Sequence, residues 1–136
     1  MGAQIDWVAL TKHAWAAKEK AYAPYSQFAV GAALLCESGE VYLGCNVENI
    51  SLGLTICAER SAVVTAIQAG CRIFVAMAIA ADTETPITPC GACRQFLAEF
   101  SPEISILAAG RKAVTQSWRL SDLLPSRFGS IAKLAK

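Results

Sequence analysis

The spacing of apolar residues changes period several times along this chain, and each change marks an expected element. Val8, Leu10, Ala14 and Ala17 recur at helical spacing behind Asp6, which can cap a helix running to about residue 21. Ala23-Pro24-Tyr25-Ser26 then breaks it. Residues 28–36 read as a buried strand, Glu37-Ser38-Gly39-Glu40 as a tight turn, and 41–47 as the hairpin partner. With Ser38-Gly39 at the tip, Cys36 would face Val41 and Cys45 would face Ala32, a register that does not favour a Cys36–Cys45 disulfide. A second helix is expected from about Thr55 to Gly70, a natural C-terminal glycine. Residues 73–81 are continuously apolar, as in a central strand covered on both faces. After a loop at 82–88, Pro89 suits the first turn of a third helix, from about 90 to 100. Strands are expected at 104–109 and 113–118. Three intervening residues are too few for a parallel crossover, so this last pair is antiparallel. Ser121 would cap a final short helix through Leu124, stopped by Pro125. The expected fold is α/β, a three-layer α/β/α sandwich with a mixed sheet of about five strands.

Composition sharpens this picture in two respects. The 136 residues fit one domain spanning 1–136, yet 54% are hydrophobic and 17% charged, more apolar surface than one small globule easily hides. The longest apolar stretch is far below the roughly 20 residues a membrane helix needs, and neither a secretory signal nor a myristoylation motif is apparent at the N-terminus. The surplus therefore points to a subunit interface. Formal net charge is +1 with no run of Lys or Arg, which disfavours a nucleic-acid partner. Six cysteines without a signal suggest a reducing, cytoplasmic setting with thiols used as ligands or core filler.

The candidate chemistry lies in Cys57-Ala58-Glu59-Arg60 and Pro89-Cys90-Gly91-Ala92-Cys93. Cys57, Cys90 and Cys93 offer three thiolates for one Zn²⁺ per subunit; a catalytic zinc site keeps three protein ligands and a fourth position for water. Both segments fall at expected helix starts, whose free N–H groups and partial positive charge would offset the excess negative charge of three thiolates. Arg60 can add to that compensation through hydrogen bonds to a thiolate. A Cys-x-x-Cys pair alone could equally be a redox couple or half a structural knuckle; the upstream Cys-Ala-Glu-Arg weighs against both. Cys36, Cys45 and Cys71 read as core filler. His13, the sole histidine, reads as solvated, and Trp7, Trp15 and Trp118 as packing or interface residues.

The pairing of Cys-x-Glu with Pro-Cys-x-x-Cys resembles the signature of zinc deaminases, in which the glutamate acts as general acid and base. More widely, the chain resembles the small, homotetrameric cytidine deaminases of nucleoside salvage. The resemblance rests on Ala23-Pro24-Tyr25-Ser26-Gln27-Phe28, Val30-Gly31-Ala32-Ala33, Gly44-Cys45-Asn46-Val47-Glu48-Asn49, the two cysteine blocks with Arg94-Gln95, and Leu123-Leu124-Pro125. It implies hydrolysis of free cytidine and deoxycytidine to uridine and deoxyuridine, with Glu59 carrying the proton from water to the ring nitrogen. It further implies that Asn46 and Glu48 hold ribose hydroxyls, that Phe28 packs on the pyrimidine, and that main-chain groups of Ala58 and of Thr88 or Pro89 meet the base edge and leaving amine. Phe128 would reach into a neighbouring subunit's site. An amide and a carboxylate two apart on a strand do point to one side, in keeping with that grip. Two positions depart from the family pattern, Leu52 where Tyr is frequent and Ser61 where Asn or Thr is usual. A deaminase of another aminated ring, a polynucleotide editor and a non-catalytic zinc-stabilised module are the competing readings. Asn46-x-Glu48 favours a free sugar, the missing basic track disfavours the editor, and Glu59 disfavours the inert module.

Overall fold

The computed structural model describes residues 4–129. Five strands form one mixed sheet in the order β2-β1-β3-β4-β5. These are β1 (Val30–Cys36), β2 (Val41–Cys45), β3 (Phe74–Ala81), β4 (Ser105–Ala109) and β5 (Thr115–Arg119). β1 runs antiparallel to both β2 and β3, β3 and β4 are parallel, and β4 and β5 are antiparallel. Helix α1 (Trp7–Lys18) covers one face, while α2 (Ala58–Gln68), α3 (Gly91–Ala98) and the short α4 (Leu120–Leu123) lie on the other. This is the expected three-layer α/β sandwich.

Alternation along β3 explains why the two layers pack differently. Met77, Ile79 and Ala81 point toward α2 and α3, where they join Ala32, Leu34, Ile106 and Leu97 in the larger core. Ala76, Ala78 and Ala80 point the other way and meet Leu10 and Ala14 of α1. Val8 does not belong to that face: it is 82% exposed, because it lies about 200° around the helix from Leu10. Trp7 and Trp15 flank the smaller cluster, Trp118 packs on the larger one, and His13 is exposed.

Several boundaries differ from expectation for local reasons. The hairpin register is shifted by one residue: Leu35 pairs with Val41 and Gly31 with Cys45, because Gly39 adopts φ +94° and makes Glu37–Gly39 a three-residue loop closed by Cys36 N–H to the Glu40 carbonyl (2.9 Å). Cys36 and Cys71 are joined by a disulfide rather than serving as separate core filler; the bond ties the end of β1 to the segment after α2. β1 begins at Val30, so Phe28 precedes the strand. α2 begins at Ala58, later than the Thr55 expected, because residues 52–54 form a separate 3-10 turn. Pro89 lies before the cap of α3 and not inside its first turn. Ser121 caps nothing: its hydroxyl donates to Glu103 (2.8 Å), and Arg119 occupies the cap position of α4.

Register gathers the chain's polar chemistry at one end of the sheet. Val30, the first residue of β1, pairs with Ala81, the last of β3, and Gly31 pairs with Cys45, the last of β2. Phe28, Asn46 and the loop leading to Pro89 therefore share one edge. In mixed α/β sheets this carboxyl end of the parallel strands is where ligands bind.

Candidate metal centre and active site

Two helix starts converge at that edge. Cys57 and Cys90 occupy the cap positions of α2 and α3 in extended conformation (φ −71°, ψ 155° and φ −65°, ψ 165°), and neither side chain caps its own helix. Cys93 sits in the first turn of α3. The Sγ atoms of Cys57 and Cys90 are 3.8 Å apart and those of Cys90 and Cys93 3.4 Å apart, with all three within 4.8 Å of one another. Zinc at about 2.3 Å from each sulfur of a tetrahedron requires edges of about 3.8 Å. The donor set and its spacing fit zinc.

Position within the fold brings Cys57 there. Val47 and Ile56 exchange two backbone hydrogen bonds of 2.9 Å, so the residue after Ile56 is held beside Asn46 and Glu48, which flank Val47. Gly44 of β2 packs directly on the first turn of α2, where any Cβ would lie 2.8 Å from Ala62 Cα and closer still to Ala62 N and Ala58 O. This close approach sets the helix height over the sheet.

The electrostatics separate the titrating groups. The Cys57 thiol is held down to about 5, chiefly by a hydrogen bond from Cys93 and further by Arg60, whose Nη2 lies 3.6 Å from Cys57 Sγ. Cys93 is pushed up as the proton-holding partner of that bond and by burial. Glu59, in the first turn of α2 and only 4% exposed, is raised to about 7, first by desolvation. A carboxyl titrating near neutrality beside a metal site suits a group that must both take and give a proton.

Asn46 and Glu48 lie beyond the end of β2, on either side of Val47, and both engage the segment leading into β1. Asn46 Oδ1 accepts from Val30 N–H (2.8 Å) while its Nδ2 donates to the Phe28 carbonyl (2.8 Å). Glu48 Oε1 accepts from the N–H groups of Tyr25 (2.9 Å) and Ser26 (3.1 Å), and Oε2 accepts from the Ser26 hydroxyl. Those donors, led by the Ser26 hydroxyl, hold the Glu48 carboxyl below its ordinary range. Phe28 is 40% exposed at this edge. Ala58 supplies the first N–H of α2, a position with no acceptor within the helix. Of Thr88 and Pro89, Pro89 has no N–H and its carbonyl accepts from Arg94 Nε (2.8 Å), which leaves the exposed Thr88 as the available main chain. Phe128 is 68% exposed, its N–H donated to Gln95 Oε1 (3.0 Å).

Three supporting residues had no assigned role from the sequence. Ser26 links Glu48 to the Phe28 segment. Arg94 ties the Pro89 carbonyl to the Leu123 carbonyl (2.9 Å), and Gln95 anchors Phe128. The Arg94-Gln95 dipeptide directly after Cys93 was a visible signal, since a long donor there can only reach back over the cap or across to the next element.

Comparisons with known proteins agree with this geometry. The family profile "Cytidine and deoxycytidylate deaminase zinc-binding region" matches residues 6–109. A cytidine deaminase of Sporosarcina psychrophila is 48% identical over 113 residues, 82% of this chain and 83% of that protein. One from Halalkalibacterium halodurans is 47% identical over 125 residues, covering 91% and 95%. A crystal structure of cytidine deaminase from Burkholderia pseudomallei superposes with TM-score 0.88 at 46% identity, over 91% of this chain and all of that one. With a family profile matching most of its length, relatives close to half identical, and three sulfurs and a buried glutamate gathered at one end of its sheet, this chain belongs to the cytidine and deoxycytidylate deaminase family.

Proposed function

We propose that the protein is a zinc-dependent aminohydrolase that converts free cytidine and 2′-deoxycytidine, with water, to uridine and 2′-deoxyuridine plus ammonia. The observation that carries this reading is the convergence of Cys57, Cys90 and Cys93 from two helix starts with Glu59 buried two residues from the first sulfur. Cys57, Cys90 and Cys93 would hold the zinc, which supplies acidification of the attacking water. The N-termini of α2 and α3, together with Arg60, offset the charge of the thiolates.

Glu59 takes one proton from the attacking water and delivers it to the ring nitrogen as oxygen bonds to the amine-bearing carbon; it then takes the second proton from that added hydroxyl and delivers it to the amine, so that the C–N bond breaks, the carbonyl forms and ammonia leaves. Burial raises the Glu59 carboxyl above the usual carboxylate range and so favours its holding a proton between the two transfers. The Ala58 N–H is a donor for the base edge, and the Thr88 carbonyl an acceptor for the leaving amine. Phe28 packs against the pyrimidine. Asn46 keeps one amide hydrogen, and Glu48 spare lone pairs, for sugar hydroxyls beyond the bonds they make within the chain.

A homotetramer with shared sites is part of the same reading. Ile50, Leu52, Leu54 and Phe128 are large apolar residues more than half exposed near this edge, a pattern that marks an interaction surface. Phe128 would complete a neighbour's site. Leu52, in the 3-10 turn, gives that contact an aliphatic in place of an aromatic. One catalytic domain spanning 1–136 and residence in the cytoplasm complete the proposal; Cys57, Cys90 and Cys93 are free thiols, as metal binding requires, while Cys36 and Cys71 are joined. Among the described residues, no helix is long and apolar enough to cross a membrane.

The test supplies the purified zinc-loaded protein with cytidine, deoxycytidine, adenosine or a short single-stranded oligonucleotide and follows ultraviolet absorbance and ammonia. Turnover of the first two alone is expected, with Glu59→Gln retaining zinc and losing nearly all rate. Turnover of adenosine or the oligonucleotide in their place, or a Glu59→Gln variant as fast as the parent, overturns the reading.

A further inference from the structure

The segment from Tyr25 to Phe28 carries an aromatic assigned to the base and is held almost wholly by side chains assigned to the sugar. Gln27, in its middle, sits at φ 57°, a left-handed conformation that a non-glycine residue keeps only when its surroundings enforce it. The enforcing bonds are few. Asn46 Nδ2 holds the Phe28 carbonyl at 2.8 Å, Gln27 N–H donates to the Ala23 carbonyl at 3.0 Å, Glu48 Oε1 accepts from the N–H groups of Tyr25 and Ser26, and the Ser26 hydroxyl adds two more bonds. Ser26 Oγ accepts from Phe28 N–H at 3.0 Å while its own hydrogen goes to Glu48 Oε2. One oxygen thus touches both the carboxylate and the backbone of the aromatic. Glu48 forms no ion pair with a Lys, Arg or His among the described residues, so its charge is balanced here by three dipolar donors, two of them from Ser26.

Resting on the nucleoside-deaminase reading above, we infer that Ser26 is a positioning residue for nucleoside binding, its hydroxyl locking the sugar-side carboxylate of Glu48 and the base-side ring of Phe28 into one unit. Without that hydroxyl, Glu48 keeps two backbone donors but can rotate about them, and Phe28 N–H loses its acceptor. Both ends of the substrate would then be held less firmly. The metal ligands and Glu59 lie on other elements and are untouched. Ser26 is exposed and adds nothing to either core, so truncating it leaves folding intact.

Steady-state kinetics of the zinc-loaded full chain test this. Ser26→Ala should raise KM for cytidine roughly ten- to hundred-fold, as loss of a charge-assisted hydrogen bond does, with kcat within about threefold. Ser26→Thr, which keeps the hydroxyl, should restore most of the loss. In a Glu48→Gln background the same Ser26→Ala change should add less than about twofold, since the two groups act through one bond. The inference is overturned by a Ser26→Ala KM within twofold of the parent, by a fall in kcat alone, or by full additivity with Glu48→Gln. Failure of the unsubstituted enzyme to deaminate cytidine would instead remove the functional reading beneath it.

Discussion

Gly44→Ala is the most revealing single substitution in the scaffold, because it adds one methyl group between β2 and the helix bearing the first metal ligand. A Cβ there would sit 2.8 Å from Ala62 Cα, whereas carbon atoms pack at about 3.5–4.0 Å. The neighbours are backbone atoms of the first turn of α2, so no side chain can rotate away. Either α2 rises or β2 retreats by about 1 Å. Overpacking of that kind costs roughly 1–3 kcal/mol of stability. The functional cost is greater. Metal–ligand distances tolerate about 0.2 Å, and a 1 Å misplacement of catalytic groups slows turnover about a hundredfold. If α2 moves, Cys57 and Glu59 leave the positions that Cys90 and Cys93 define, so zinc content and kcat fall together. If β2, an edge strand, moves instead, Asn46 and Glu48 are carried with it and KM rises. Thermal unfolding, zinc analysis and steady-state kinetics on one preparation distinguish these outcomes. A Gly44→Ala protein with unchanged melting temperature, full zinc and both kinetic constants within twofold of the parent would refute the packing argument.

Three further outcomes follow from the same structure. Arg60→Gln removes the cation 3.6 Å from Cys57 Sγ; the Cys57 thiol should rise from about 5, protons should compete better with metal, and zinc release on acid titration should begin at higher pH than in the parent. Because Glu48 is held below its ordinary range when folded, its contribution to stability is complete above the unfolded carboxyl value of about 4.3 and is lost as pH falls through the lower folded value. Urea unfolding of Glu48→Gln should accordingly show a shallower loss of stability below pH 4 than the parent. The Cys36–Cys71 disulfide closes a 35-residue separation, so its reduction should cost about 2–4 kcal/mol, read as a fall in melting temperature on adding a phosphine reductant that is absent in Cys71→Ser.

Much of this site was legible because metal chemistry constrains residue type and spacing tightly. Cys57, Glu59, Cys90 and Cys93 can be named from two short segments, and the structure brings the three sulfurs together. Element types were also legible, since the unbroken run at 73–81 and the polar turn at 37–40 each admit one interpretation. Register was not. A three-residue loop with Gly39 at positive φ and a two-residue turn at Ser38-Gly39 share the same sequence, and the choice shifts every cross-strand pair by one. The pairing of Cys36 with Cys71 was hidden for a different reason: it depends on how α2 returns to the sheet, a tertiary fact that no local pattern encodes. The double duty of Asn46 and Glu48, sugar candidates that also brace residues 25–30, could be seen only once the strand ends were aligned. Boundaries failed where a cap competes with a helical start. Thr55 and Pro89 are both reasonable openings, yet cysteines take the cap positions so that their sulfurs face across to each other.

X-ray absorption at the zinc edge of the metal-loaded protein addresses the central claim most directly. Three sulfur scatterers at about 2.3 Å and one oxygen at about 2.0 Å are expected for a catalytic site built from Cys57, Cys90 and Cys93. A fourth sulfur, or the multiple-scattering pattern of an imidazole from His13, would mean a closed structural site and would contradict it.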